Sequence, residues 1–267
     1  MLIVNADDLA MTPGANQGIF EGFDKGAVTH ASVMANCDYF DEAMQGVQER
    51  PNLGLGIHLN ITYGKPLIHN SLYCNKEGIF NLGYLDLMKN RNLEFLAAVE
   101  AEWEAQIERV LSVSQRKKLT HLDSHRHVHM IPHLYKIAVK LAKKYGVERI
   151  RLINENMLRS LLLTKRFNFL LNGGIVKYLL LRSFSAIDAK YANYYDNIQF
   201  YSILYTGVIG GDILQKLQNA KESYEIMVHP SVTALDRDVH FYDEAEKAYR
   251  ISKDREKELE AVLAFKR

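Results

Sequence analysis

Short apolar runs rich in Ile, Val and Leu alternate along the chain with longer stretches of helical period. This is the pattern of repeated βα units around a parallel sheet. Strands are predicted at Leu2–Asn5, Ser32–Asn36, Leu53–Leu59, Leu119–Asp123, Arg149–Ile153, Gln199–Leu204 and Tyr224–Val228. Helices are predicted at Pro13–Lys25, Phe40–Glu49, Leu93–Ser114, Pro132–Tyr145, Ile213–Ala220 and Asp243–Leu263. Seven strands with crossovers predict an α/β barrel. Two helix starts are marked by Pro13 after Thr12 and Pro132 after Ile131, since proline suits the first turn, where its missing N–H costs nothing. Gly146 closes the second of these helices. Between Ile61 and Leu93 the chain is rich in Asn, Gly and Tyr, too long for a plain connector, and reads as a functional loop whose Tyr63, Tyr73, Phe80 and Tyr84 offer ring faces for a ligand to stack on.

Composition narrows the class without supplying chemistry. At 267 residues and 48% hydrophobic, the chain has the length of one barrel domain, taken as residues 1–267. Lys plus Arg (33) nearly cancel Asp plus Glu (32), so no global positive field would gather nucleic acid or an anionic membrane, and a neutral substrate fits better. Cys37 and Cys74 form no disulfide framework and no CxxC pair, and read as reduced thiols. The opening MLIVNADD runs from an apolar strand into carboxylates without the regions of a signal peptide, which reads as cytoplasmic. Leu161 to Leu181 is the most apolar region, but Lys165, Arg166, Asn168, Asn172 and Lys177 interrupt it. It reads as a soluble amphipathic element ahead of a peripheral membrane contact, with a lid or a homodimer surface as its open uses.

The polar, metal-capable residues fall at the C-terminal ends of the predicted strands: Asp7 and Asp8 after the first, His58 in the third, Asp123 to His129 at the fourth, His229 after the last. In a βα barrel those ends converge on one mouth. Asp7 and Asp8 would point to opposite sides of a regular strand, but a turning strand end can aim both inward. The plainer use of one of them is a helix cap or an Asx turn. The segment THLDSHRHVHM carries His121, Asp123, His125, His127 and His129 at period two, which on a strand sets them on one face. A single histidine here would as readily be a hydrogen-bonded core residue. Four within nine residues beside an aspartate argue for ligation. His58, alone, reads as a core histidine, and His229 as a loop histidine fixed at the mouth by Pro230. Asp and His without Cys suit magnesium, manganese or zinc at an open site, and hydrolysis of an amide or ester as the reaction.

Four segments together resemble the YdjC-like family, whose characterised members are chitooligosaccharide deacetylases: NADD at Asn5–Asp8, GIHLN at Gly56–Asn60, THLDSHRHVHM at Thr120–Met130 and VHP at Val228–Pro230. The resemblance implies a distorted (β/α) barrel, a divalent ion, with magnesium ahead of zinc or manganese, and N-deacetylation of a small carbohydrate such as an N-acetylglucosamine oligomer. It puts Asp8, His58 and His125 on the metal, Asp7 as base and His229 as acid. Asp123 and His127 are expected beside these ligands or the substrate. Arg151 matches more weakly, and would either orient Asp7 or a substrate oxygen or form a surface salt bridge. Two positions depart from the family: Leu9–Ala10 stands where members commonly carry Phe-Gly, and Arg126 where they often carry His. The rival readings are a metal-assisted phosphoesterase or glycosidase on the same barrel, or a sugar-binding protein without activity.

Overall fold

Apolar runs become buried parallel strands, and the amphipathic stretches become helices laid over them. A computed structural model describes residues 1–164, 174–191, 198–205, 209–219 and 221–265. Among them, six strands are β1 (Leu2–Leu9), β2 (His30–Val33), β3 (Gly54–Leu59), β4 (His121–Ser124), β5 (Ile198–Tyr201) and β6 (Ser223–Val228). They form one curled sheet in the order β4-β3-β2-β1-β6-β5, every pair parallel, the arrangement of a distorted (β/α) barrel. The helices are α1 (Pro13–Lys25), α2 (Phe40–Gln48), α3 (Tyr84–Lys89), α4 (Leu93–Ser114), α5 (Pro132–Tyr145), α6 (Met157–Thr164), α7 (Gly174–Asp188), α8 (Gly211–Gln218), α9 (Glu244–Arg250) and α10 (Lys253–Ala264).

The helix signals act as read. Thr12 caps α1, its hydroxyl accepting from the Ala15 N–H, and Gly146 takes the left-handed conformation (φ 62°) that ends α5. Gly56 is required by close approach, because a Cβ there would lie 2.3 Å from the His121 ring.

Three expectations change. The predicted strand Arg149–Ile153 contributes one parallel bridge, Leu122 to Ile150, and is otherwise irregular. Between this segment and β5 the barrel is joined by a side chain: Asn154 Nδ2 donates to the Ile198 carbonyl (2.9 Å) and its Oδ1 accepts from the Phe200 N–H (2.7 Å). The predicted helix Asp243–Leu263 is two helices, α9 and α10, and the apolar region 161–181 falls on α6 and α7, with residues 165–173 outside the described ones. Ala220, the predicted end of α8, also lies outside them. No described helix is long and apolar enough to cross a membrane.

The loop aromatics are the third correction. Tyr73 is fully buried, packs on Phe80 with ring centroids 5.5 Å apart, and donates to the Ile68 carbonyl, so these rings form the loop's own core. Tyr63 packs between His125 and Tyr242, and the Tyr84 hydroxyl is buried. None of the four lines the cleft described next.

Candidate metal and active site

Parallel strands deliver their C-terminal ends to one side of the sheet, and a cleft of about 320 Å³ opens there. Asp7, Asp8, His58, His125, His127 and His229 all line it. The two aspartates reach it together because β1 breaks register against β2 between Ala6 and Leu9, a bulge in which Asp8 adopts φ 68°. Ala10 follows at φ 80°, a left-handed conformation that glycine adopts without strain.

Asp8 sits at the centre of the cleft floor. Its Oδ1 lies 3.2 Å from His58 Nε2 and 3.0 Å from His125 Nδ1, and one donor atom from each of the three buried residues lies within 4.8 Å of the other two. Behind His58, Asp123 Oδ1 meets Nδ1 at 2.7 Å, which turns Nε2 toward Asp8. This group fits a divalent cation on two grounds. Burial disfavours a charged His58 ring, yet Asp123 and Asp8 overcome it and push the imidazole up to about 10, so the site stabilises positive charge. His125 Nδ1 also faces the same Asp8 oxygen, a second imidazole nitrogen aimed at one point.

Asp7 occupies a different environment. Its carboxylate accepts from Arg151 Nη1 (2.6 Å) and Nη2 (2.7 Å) and from Asn5 Nδ2 (2.8 Å). Arg151 also reaches Asp123 Oδ2 (2.7 Å) and Glu225 Oε1 (2.8 Å). It is fully buried, so the surface salt bridge is excluded, and it holds Asp7 from behind rather than lining the cleft. Asp7, His58 and Asp123 form a second close group of donor atoms, but the Arg151 guanidinium already neutralises both of its carboxylates.

The histidine run does not keep its period. β4 ends at Ser124, and residues 125–130 form a 3-10 segment in which Arg126 (φ 55°) and His127 (φ 57°) are left-handed. His121 points into the core, its Nε2 2.9 Å from the Ser32 hydroxyl and its Nδ1 2.8 Å from Thr120 Oγ1. His129 bonds Ser124 Oγ (2.6 Å) and the Arg151 carbonyl (3.0 Å). Burial pushes His121 well below the usual imidazole range and His129 down to about 4, so both are neutral core residues. Only His125 and His127 reach the cleft, where burial, aided by Lys177 and Arg151, keeps His127 neutral. His229 stands across from the aspartates, its Nε2 3.8 Å from Asp8 Oδ2 and its Nδ1 3.6 Å from Glu258 Oε2. Burial would raise the Glu258 carboxyl, but Arg255 and His229 hold it down to about 2, an anion behind the ring.

Two cleft residues escape the sequence reading. Glu246 and Arg250 enter from α9, with Arg250 Nη2 donating to Asp8 Oδ2 at 2.5 Å. Their only trace in the sequence is an acidic and a basic residue four apart, which describes most solvated helix pairs.

Fold and site together define a (β/α)-barrel protein with an Asp-His-His centre at its strand ends. The chain belongs to the YdjC-like protein family, which it matches over residues 1–264. It is 40% identical over 147 residues to a carbohydrate deacetylase of Brevibacillus brevis, covering 55% of this chain and 57% of that one. It is 35% identical over 147 residues to a chitooligosaccharide deacetylase of Salmonella paratyphi B, covering 55% and 57%. The match thus spans little more than half the length of these relatives. A solved Enterococcus faecalis structure named for cellobiose-phosphate cleavage superposes with a TM-score of 0.65 at 26% identity, over 98% of this chain and 90% of that one.

Proposed function

We propose that this chain is a metal-dependent carbohydrate N-deacetylase that releases acetate from N-acetylated sugars such as N-acetylglucosamine oligomers. The observation that carries the reading is the convergence of one donor atom each from Asp8, His58 and His125 within 4.8 Å of one another in a cleft that Asp7 and His229 also line. The names of the deacetylase relatives support the substrate class. Asp8, His58 and His125 would hold the ion, with magnesium expected ahead of zinc or manganese. When bound, a divalent ion supplies positive charge for the developing oxyanion and acidifies water.

The remaining steps belong to the protein. Asp7, its plane fixed by the two Arg151 bonds and by Asn5, accepts the proton of the attacking water as the acetyl carbon becomes tetrahedral. His229, backed by the Glu258 anion at Nδ1, gives a proton from Nε2 to the departing nitrogen, and the C–N bond breaks to acetate and an amino sugar. Asp123 holds His58 in the tautomer that turns Nε2 to the ion. His127, held neutral by burial on the cleft wall, would meet a sugar hydroxyl.

Both arginines that the phosphoesterase alternative would call on are already paired, Arg151 with three carboxylates and Arg126 with Asp243 and Glu246. Acetate release from a panel of N-acetylated mono- and oligosaccharides, with and without added divalent ion, tests the proposal. Comparable turnover of a plain phosphomonoester would overturn it.

A further inference from the structure

Helix α9 presents two buried charged side chains to the Asp8–His58–His125 group. Glu246 and Arg250 stand one helical turn apart, and Arg250 Nε donates to Glu246 Oε1 (2.7 Å). Arg250 Nη2 donates to Asp8 Oδ2 (2.5 Å), while Glu246 Oε2 lies 3.6 Å from His125 Nε2. His125 Nδ1 returns to Asp8 Oδ1 at 3.0 Å, closing a ring of four side chains. Each of the two ligand residues in that ring is addressed on the atom turned away from the donor cluster.

The need for such a partner follows from imidazole chemistry. A neutral ring that ligates a cation through one nitrogen carries its proton on the other, and a buried N–H without an acceptor costs about 1–3 kcal/mol. For His58, Asp123 meets that need. For His125 the nitrogen facing Asp8 is Nδ1, so the proton belongs on Nε2, which is buried and has no partner within hydrogen-bond reach. Glu246 Oε2 is the carboxylate oxygen beside it, a few tenths of an ångström beyond bonding distance. Arg126 Nη2 donates to the same oxygen at 3.2 Å and, with Arg250, fixes where it stands.

We propose that Glu246 is the positioning residue of His125: it accepts the Nε2 proton and so keeps Nδ1 available as a metal donor, while Arg250 ties that carboxylate to Asp8 Oδ2 and leaves Oδ1 as the Asp8 oxygen turned to the two histidines. The assignment rests on the metal reading of the site. It is specific to position 246, since Glu244 on the same helix is exposed and carries the same charge.

Calorimetric titration of the full chain with Mn²⁺ and with Zn²⁺ tests it, comparing the wild type with Glu246→Ala, Glu246→Gln and Glu244→Gln. Glu246→Ala should weaken divalent-ion affinity by roughly 10- to 100-fold. Glu246→Gln is nearly isosteric and keeps an acceptor oxygen, so it should fold even if the alanine variant does not, and lose less affinity. Glu244→Gln should match the wild type. Nitrogen-detected NMR of the metal-loaded protein should show His125 protonated at Nε2 in the wild type and that signature weakened in Glu246→Ala. Affinity within about threefold of wild type in folded Glu246→Ala, with the His125 tautomer unchanged, would overturn the assignment and leave the metal reading standing. A wild type that binds neither ion would overturn both.

Discussion

Replacing Arg151 by methionine keeps an unbranched apolar stem of similar reach and deletes a guanidinium that bonds three buried carboxylates. Four contacts of 2.6–2.8 Å are lost at once, two to Asp7 and one each to Asp123 and Glu225. Breaking a buried ion pair by removing one partner costs about 3–5 kcal/mol, a large share of the ~5–15 kcal/mol that stabilises a domain. In a chain of this size that lowers Tm by on the order of 10 °C. The loss should depend on pH, with a sign fixed by the pairing. Burial pushes Asp123 and Glu225 up, but Arg151, with His58 for Asp123 and Arg149 for Glu225, holds both below their ordinary values. Their contribution is therefore present above the unfolded pKa values of about 4 and disappears as pH falls through the depressed folded values. The deficit of Arg151→Met should be full at pH 7 and smaller at pH 3, below the unfolded values, where the carboxylates begin to take up protons. Urea unfolding followed by fluorescence of the fully buried Trp103 measures it at both. A deficit under about 1 kcal/mol at pH 7, or one equal at the two pH values, would refute this account of the buried cluster.

Other outcomes follow from single residues. Asp7→Asn should retain metal binding and lose roughly 10²–10⁴-fold in rate, whereas Asp8→Asn should lose metal affinity first; if excess ion restores Asp7→Asn and not Asp8→Asn, the two roles are exchanged. Asp188 is buried at the end of α7 with neither carboxylate oxygen hydrogen-bonded, and burial, only partly offset by Lys190 and Lys136, pushes it up to about 7. Its ionisation opposes folding as pH rises from about 4 through 7, so Asp188→Asn should raise Tm at pH 8 and much less at pH 5. Ala10→Gly should stabilise by roughly 0.5–1 kcal/mol, because left-handed backbone costs alanine about 1–2 kcal/mol and glycine pays part of that back in unfolded-state entropy; a lower Tm would contradict it.

Much of the barrel was legible because a strand buried on both faces has to be written as an unbroken apolar run, as at Leu2–Val4 and Ile226–Val228. The segment at Arg149–Ile153 is apolar apart from two arginines, which turn to Glu225, Asp7 and Asp123, and ladder pairing stops after one bridge. The period-two reading of the histidines failed at Arg126 and His127, since no glycine or asparagine announces their left-handed turn. That turn is what separates His125, facing Asp8, from His129, facing the core. The departure at Ala10 acquired a meaning only with its dihedral angle. Glu246 and Arg250 stayed out of reach for a different reason: more than 230 residues separate them from Asp8, and contact over that span depends on how the last helices pack across the mouth.

Asn154 has a consequence for behaviour in a crowded solution. The terminal strand of an open sheet offers a row of unpaired amides and carbonyls to any other extended chain, and proteins that leave such a row bare invite fibrillar association. On β5 the Ile198 carbonyl and the Phe200 N–H, two successive groups of that row, are both taken by one asparagine side chain. A carboxamide has the spacing of a peptide group, so a single residue imitates the strand that is missing from this side of the barrel. Its worth is then measured less in folding free energy than in solubility: Asn154→Leu would spare the cleft that Asp8 lines and expose an adhesive edge.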